Sequence, residues 1–321
     1  MTEKAKLSRI LGLILVIFLL PVLSGCSSKP RDDDDDYDLP VKRSSRGKSS
    51  SAAATLTPIK ATEKGTIVGK VLWQGERPSQ DELAANLKKS ITGNPDKDYC
   101  LTGKLAGDPA DMKVELLPCE TDQQSYRIGQ NGGLGNVFVW IEPEAGKFFE
   151  LSPDLLESVP KKVMLTQPHC AFLPHCMILM PSYRDGTGKL VPSGQEFLVE
   201  NDARVGHNAK VKGGPLNGEQ GSTIPARNKD GSTTKLTISL RPDKVPVSVS
   251  CDIHGWMKAW IRVFDHPFAA VSSVGSDLKN RKWEDEKSPA FGTFEIRGVP
   301  VGARVRLFAW HEELGFLGDP K

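Results

Sequence analysis

Short runs in which apolar and polar residues alternate, separated by glycine and proline, make up most of the chain after residue 62. Alternation with a period of two is typical of β-strands that bury one face. Helical periodicity is scarce, and it predicts one short helix at Gln80–Lys89. Strands are predicted at Gly65–Trp73, Asn136–Ile141, Lys235–Leu240, Val245–Cys251, Lys258–Phe264, Gly292–Pro300 and Ala303–Trp310. The pattern therefore predicts an all-β protein.

The first 25 residues have the pattern of an export signal. Lys4, Lys6 and Arg9 precede an apolar run from Ile10 to Leu23, which is shorter than a typical membrane-spanning helix. Small residues follow this run, as they do in secretory signals. The segment 1–25 is therefore predicted to be a signal peptide rather than part of the fold.

Leu23-Ser24-Gly25-Cys26 resembles a bacterial lipobox. That resemblance implies lipidation of Cys26 and attachment of the exported chain to a membrane. Ser27, rather than Asp, follows the cysteine and favours the periplasmic side of the outer membrane or the cell surface. A plain signal peptide and a short membrane anchor are the alternatives.

Residues 26–62 are predicted to be a disordered tether. They contain the acidic run Asp32–Asp36 and the Ser- and Ala-rich stretch Ser44–Ala54, and few of their residues would enter a hydrophobic core. The remaining chain of about 250 residues is long enough for one large domain or two ordinary ones. A net charge of +2 without a basic stripe gives no support for nucleic-acid binding.

One stretch combines three possible metal ligands. Cys251, His254 and Met257 lie three residues apart, in that order. A cysteine, two histidines and a weak axial methionine form the ligand set of a blue-copper site. The best candidate for the second histidine is His207, at the end of a strand-like run. We therefore predict one type 1 copper ion at these four residues.

The Cys-x-x-His-x-x-Met spacing and the His207-Asn208 pair resemble the small cupredoxins, amicyanin in particular. The resemblance extends over residues 163–265 and implies a Greek-key β-sandwich. Asn208 would then hydrogen-bond across to the cysteine loop and hold the two segments together. The Gly- and Asn-rich segment Gly213–Gly231 is expected to form a surface loop near the metal.

The flanking segments resemble a different kind of β-sandwich. Gly292–Pro300 and Ala303–Trp310 are similar to the last strands of carboxypeptidase-regulatory-like or transthyretin-like domains, and Gly65–Trp73 is similar to the first. Neither flank has enough strands to close a sandwich alone. We therefore expect an outer sandwich, residues 63–162 and 266–321, with the copper unit inserted; tandem domains are the alternative. The whole pattern resembles periplasmic bacterial lipoproteins described as methylamine-utilisation-like or plastocyanin-like.

Four cysteines remain once Cys26 and Cys251 are assigned to lipid and metal. An even remainder in an exported protein suggests disulfides. Three pairings are possible; we predict Cys100 with Cys170 and Cys119 with Cys176. In the competing hypothesis, two His-Cys pairs, His169-Cys170 and His175-Cys176, form a second metal site.

The cupredoxin resemblance implies one-electron transfer rather than catalysis. In that family the histidine equivalent to His254 reaches the surface, so Gly255 and Trp256 are expected to form the docking patch for a redox partner such as a cytochrome or dehydrogenase. Ser250 and Asp252 flank the cysteine where multicopper oxidases have histidines, so we predict that the chain is not an enzyme. The alternatives are a carbohydrate- or protein-binding scaffold, and copper storage or delivery.

Overall fold

A computed structural model describes residues 56–275 and 286–318. Within these ranges the chain is mostly β-strand, which confirms the all-β prediction. The predicted signal peptide, Cys26 and most of the predicted tether lie outside the described residues. Thr57–Lys60, which fell within the predicted tether, forms a strand that pairs with Lys147–Glu150. Among the described residues, no helix has both the length and the apolar composition that a membrane crossing requires.

The described strands are β1 (Thr57–Lys60), β2 (Lys64–Lys70), β3 (Phe138–Pro143), β4 (Lys147–Glu150), β5 (Lys162–Gln167), β6 (Cys176–Leu179), β7 (Ser182–Arg184), β8 (Leu190–Pro192), β9 (Glu196–Asn201), β10 (His207–Lys212), β11 (Glu219–Ile224), β12 (Thr234–Ile238), β13 (Val247–Ser250), β14 (Lys258–Val263), β15 (Ala269–Val271), β16 (Thr293–Pro300), β17 (Val305–His311) and β18 (Gly315–Leu317). The described helices are α1 (Gln80–Thr92), α2 (Lys97–Thr102), α3 (Pro118–Thr121) and α4 (Pro153–Ser158).

Two sheets enclose the core that carries the predicted copper ligands. One has the strand order β11-β10-β13-β14-β6, and the other has the order β12-β9-β5. Alternation along the strands places Val247 and Val249 of β13, and Ala259 and Ile261 of β14, in this core with no exposed surface. Each fully buried valine or isoleucine contributes roughly 1.5–3 kcal/mol to stability. The buried side chains of β13 and β14 therefore anchor both ends of the loop between these strands in the core.

The flanking segments pair with each other across the inserted sequence. β2 pairs with β16, and β3 pairs with β17, both antiparallel. β15 and β18 complete the sheet of β3 and β17. The two flanks therefore pair with each other across the inserted segment, and the nested division into domains stays a prediction.

A third apolar cluster joins the two sets of sheets. Trp140 and Trp310 of the outer sheet pack with Cys176 and Phe264, and Trp260 of β14 lies against them. The ring centroids of Trp260 and Trp310 are 4.9 Å apart. The side of β14 that faces away from the inner core is thus covered by the outer sheet.

Residues 80–108, here called the helical cover, pack against the inner core. The predicted boundaries placed this segment in the outer sandwich. Ile91, Tyr99 and Cys100 are instead buried in the inner core cluster. Helix α1 begins as expected, because the Ser79 hydroxyl accepts a hydrogen bond from the Glu82 N–H. The cover lies over the end of the inner sandwich that carries the predicted ligands.

The segment 213–231 contains a β-strand and is not one continuous surface loop. It contains β11, which pairs with β10 along its whole length. The expectation of a long loop was therefore wrong. β11 is an edge strand with mostly exposed side chains, so it lacks the apolar alternation that marks a strand in the sequence.

Candidate metal centre

The loop from Cys251 to Met257 is closed by its own backbone. The Met257 N–H donates to the His254 carbonyl at 2.9 Å, and the Cys251 N–H donates to the Met257 carbonyl at 3.3 Å. β13 ends just before Cys251, and β14 begins just after Met257. The antiparallel pairing of these strands therefore brings the two ends of the loop together.

His207 comes from the neighbouring strand. It opens β10 rather than ending a strand, and β10 pairs with β13 in the register Lys210 to Ser250. The Asn208 N–H consequently points at the Cys251 sulfur, 3.5 Å away. The ligand atoms of His207, Cys251 and His254 all lie within 4.8 Å of one another.

The two imidazoles direct their acceptor nitrogens towards one point. His207 Nε2 lies 2.7 Å from the His169 carbonyl, which only an N–H can satisfy. His254 Nε2 lies 3.1 Å from the Asp96 carboxylate, which again calls for an N–H. In neutral imidazoles this leaves each Nδ1 with a lone pair. The two Nδ1 atoms are 2.9 Å apart, and each is 3.9 Å from Cys251 Sγ.

Burial favours the neutral form of both imidazoles. Burial, with a smaller contribution from His254, lowers the pKa of His207 to about 3, although the hydrogen bond to the His169 carbonyl opposes the shift. Burial also lowers the pKa of His254, while Asp96 opposes that change. Metal binding requires neutral imidazole, and burial shifts the pKa of both residues in the direction that favours this form.

Met257 and Asn208 complete the predicted set. Met257 is 1% exposed and packs in the inner core at the end of the ligand loop. The Asn208 side chain spans the gap to the loop: its Oδ1 accepts from the Asp252 N–H at 2.6 Å, and its Nδ2 donates to the Asp252 carboxylate at 2.8 Å. This amide ties β10 to the residue after Cys251.

The donor set fits copper. A thiol sulfur, two imidazole nitrogens and the thioether of the residue that ends the loop form the combination that type 1 copper sites use. Both imidazoles also hold their second nitrogen on an oxygen acceptor, as metal-bound histidines usually do. The side chains of His207 and His254 would hold the ion through Nδ1, and that of Cys251 through Sγ.

His254 does not reach the surface, contrary to the expectation from the resemblance. It has no exposed area, because the helical cover lies over it. Asp96 of the cover accepts its Nε2 hydrogen, and Asn94 donates to the Ile253 carbonyl at 2.9 Å. The sequence carried no signal for this contact, since Asp96 and His254 are 158 residues apart.

Gly255 and Trp256 line an open groove beside the centre. The groove has a volume of about 490 Å³, and its other lining residues are Lys89, Ser90, Gly93 and Asn94. The Trp256 ring lies 5.1 Å from the His254 ring, and its Nε1 donates to the Cys170 carbonyl at 3.1 Å. The Trp256 side chain thus packs partly against the inner core and partly lines the groove.

One of the two predicted disulfides is present. Cys100 and Cys170 are bonded, and this pair ties the cover to the inner sandwich. The prediction of a bond between Cys119 and Cys176 was wrong, since both are buried free thiols. They pack in different places: Cys176 lies in the aromatic cluster between the sheets, whereas Cys119 lies in α3.

The competing second metal site does not form. Cys170 is used by the disulfide, and the ring nitrogens of the two histidines have carboxylate partners. His169 Nδ1 lies 2.7 Å from Glu120, and His175 Nε2 lies 2.5 Å from Glu312. In the part of the chain that the structure describes, these four residues do not form a metal-binding group.

No family model and no curated protein matches the chain. Solved structures with some likeness include amicyanin from Paracoccus versutus (Thiobacillus versutus), at 14% identity, with a TM-score of 0.23, covering 38% of this chain and 96% of that one. A purple cupredoxin from Nitrosopumilus maritimus has 11% identity and a TM-score of 0.21, covering 32% of this chain and 97% of that one. Similarity this low supports no functional inference, so the case for copper rests on the side-chain geometry.

Proposed function

We propose that this protein is a type 1 copper protein that carries single electrons in the cell envelope. The observation that carries the proposal is the meeting of two imidazole Nδ1 atoms, 2.9 Å apart, with the Cys251 sulfur 3.9 Å from each, while an oxygen acceptor holds each Nε2. Two lone pairs held so close repel each other unless a cation or a proton lies between them. Copper held by these atoms and by Met257 would supply a one-electron couple with little rearrangement.

The chain itself supplies rigidity. His207 is fixed through the His169 carbonyl and His254 through Asp96, so neither ring is free to turn. Asn208 fixes the loop beyond Cys251 through its two hydrogen bonds to Asp252. Ligands held in place by neighbouring hydrogen bonds change little when the charge of the site changes.

A protein partner, such as a cytochrome or a dehydrogenase, would exchange the electron. Because His254 is buried, we propose that the partner docks at the groove formed by Gly255, Trp256 and the end of α1. Trp256 spans the distance from that groove to His254. Weak electron-transfer encounters use small interfaces, which suits a groove of this size. Lipid at Cys26 would keep the protein at the membrane.

Copper storage or delivery is the second candidate. The observation that favours it is the cover itself, which buries His254 and lengthens the path for an electron. A storage protein would hold copper tightly and exchange electrons slowly, whereas a carrier would exchange them rapidly.

An optical and electron paramagnetic resonance titration of the full chain with Cu(II) tests the proposal. We expect one intense thiolate-to-copper band per chain, bleached by reductant and restored by oxidant. Cys251→Ser should abolish the band, because the serine oxygen is a poor replacement for the thiolate. Cys119→Ser, which changes another buried free cysteine, is the matched control and should keep it.

Stopped-flow reoxidation then separates the two candidates. A carrier should exchange electrons with a small soluble oxidant within milliseconds to seconds, whereas a storage protein should take much longer. Absence of the band from the wild type, with Cys251 shown to be a free thiol, would rule out the electron carrier. Absence of Cu(I) binding as well would rule out storage and leave a binding scaffold.

A further inference from the structure

His254 belongs to two overlapping groups of possible ligands. The first is the group with His207 and Cys251; the second joins it to Cys100 and Cys170. In each group the ligand atoms lie within 4.8 Å of one another, and all of these side chains are buried. The disulfide is therefore not remote from the metal centre, because both of its sulfurs lie within 4.8 Å of a ring nitrogen of the same histidine.

A disulfide offers no thiolate, so the second group cannot bind a metal through its sulfurs while Cys100 and Cys170 are bonded. A dithiol reductant changes this. It breaks the sulfur–sulfur bond, donates two electrons and two protons to give two cysteine thiols, and becomes a disulfide itself. Thiolates are the soft ligands that Cu(I) prefers. Loss of the thiol protons on metal binding then gives two thiolates and one imidazole.

The helical cover is held by contacts that do not depend on the disulfide. Asp108 forms two hydrogen bonds of 2.6 Å with Arg204. The Tyr99 hydroxyl accepts from the Arg204 N–H at 2.8 Å, and Ile91 is buried in the inner core. Reduction therefore leaves both thiols near His254 rather than releasing the cover into solvent.

We propose that reduced Cys100 and Cys170 form, with His254, a second site for Cu(I), which loads or unloads the copper centre. Its role in copper traffic rests on the function proposed above, but the site itself does not. Shared use of His254 means that copper at one site withdraws a ligand from the other. The disulfide then works as a switch: oxidised, it confines copper to the electron-transfer centre; reduced, it opens a thiolate route to and from that centre.

The test uses the full chain carrying Cys251→Ser, which removes the thiolate of the first site. Cu(I) affinity is measured by competition with a chromophoric Cu(I) chelator, before and after reduction with a water-soluble phosphine. A thiol assay must show two additional thiols after reduction. We expect Cu(I) to bind at least ~10-fold more tightly after reduction, a difference of about 1.4 kcal/mol.

Two double variants and a spectroscopic measurement complete the design. Cys251→Ser/Cys170→Ser should lose the gain, and Cys251→Ser/Cys176→Ser, which changes a buried thiol in the aromatic cluster, should keep it. X-ray absorption of the reduced Cys251→Ser protein should show two sulfur ligands on copper, and this readout does not depend on the folding of a double variant.

The proposal is overturned if reduction leaves the affinity unchanged, if the gain survives Cys170→Ser, or if fewer than two sulfurs bind copper. The wild-type optical band reports on the electron-transfer centre separately. A normal optical band without the gain in Cu(I) affinity on reduction would contradict the second site but not the electron-transfer centre. The gain in Cu(I) affinity without an optical band would contradict the electron-transfer centre but not the second site.

Discussion

Two buried clusters in this protein each combine histidine with cysteine but differ in their hydrogen bonding. The metal-end cluster consists of His207, Cys251 and His254. The interface cluster lies between the two sets of sheets and contains His175, Cys176 and Glu312, with Trp260 beside them. The sequence alone offered both cysteine–histidine pairs as possible metal ligands.

The clusters differ in how their hydrogen bonds are satisfied. At the interface, Glu312 accepts from Trp260 Nε1 at 2.7 Å and contacts His175 Nε2 at 2.5 Å, so its carboxylate is fully engaged. The Cys176 thiol donates to the Asn136 carbonyl, and burial, with the nearby Glu312, raises its pKa well above the ordinary value. Cys176 is therefore a protonated thiol.

At the metal end the polarity is reversed. Cys251 Sγ accepts from the Asn208 N–H, and the two nearby Nδ1 atoms offer lone pairs rather than hydrogens. Burial of histidine and cysteine together therefore does not by itself make a metal site. What matters is whether the cluster retains unused lone pairs that converge.

The largest expected effect concerns the interface cluster, whose role we predict to be structural. Glu312→Ala should destabilise the protein by about 3–5 kcal/mol, because it leaves His175 and the Trp260 N–H buried without their partner. The copper band should be unchanged. Urea unfolding of the metal-free protein, alongside a Cu(II) titration, measures both effects.

Glu313→Ala, which changes the neighbouring carboxylate, is the control and should cost far less. Loss of the copper band in folded Glu312→Ala would show that the two clusters are not independent.

The second prediction separates the clusters by pH. Burial lowers the pKa of His207 from 6.5 to about 3, so the unfolded chain takes up this proton more readily than the folded one. Stability of the metal-free protein should therefore be full above pH 6.5 and should fall as the pH drops towards 3, by up to roughly 4 kcal/mol.

Glu312 responds in a lower range. Burial alone would raise its pKa, but His175 and Trp260 outweigh burial and hold the pKa at about 2, below the ordinary 4.5. Its contribution to stability is lost only as the pH falls from 4.5 towards 2. Chemical unfolding between pH 7 and pH 4 should give a flatter profile for His207→Gln than for the wild type. Identical slopes would contradict the assignment to His207.

The smallest expected effect concerns Asn208. Asn208→Ala removes the two side-chain hydrogen bonds to Asp252 but keeps the backbone N–H that points at Cys251. We expect a loss of about 1–2 kcal/mol and a modest loss of copper affinity, with the optical band still present. Thermal unfolding and chelator competition measure the two losses. Asn228→Ala, in a remote exposed turn, should change neither copper affinity nor the band.

Much of the strand framework could be predicted because its signal is local. The alternation in Val245–Cys251 and Lys258–Phe264 led to β13 and β14, and that in Gly292–Pro300 led to β16. β11 escaped prediction because it is a polar edge strand. Its Gly221 packs so closely on β10 that a Cβ would lie 2.4 Å from the Ala209 carbonyl oxygen. Such a close approach follows from the strand pairing and leaves no periodic signal.

The candidate centre likewise has one part that the sequence predicted and another that it did not. The sequence by itself determined the proximity of the predicted loop ligands Cys251, His254 and Met257, because residues three apart on a short hairpin loop cannot be far from one another. Only the tertiary structure decided that the helical cover buries His254 under Asp96 and that Cys176 is a protonated thiol beside Glu312. These outcomes depend on contacts between residues more than 130 positions apart, such as His175 with Glu312 at a separation of 137. Packing of whole sheets and helices brings such residues together, and no short-range pattern in the chain encodes it.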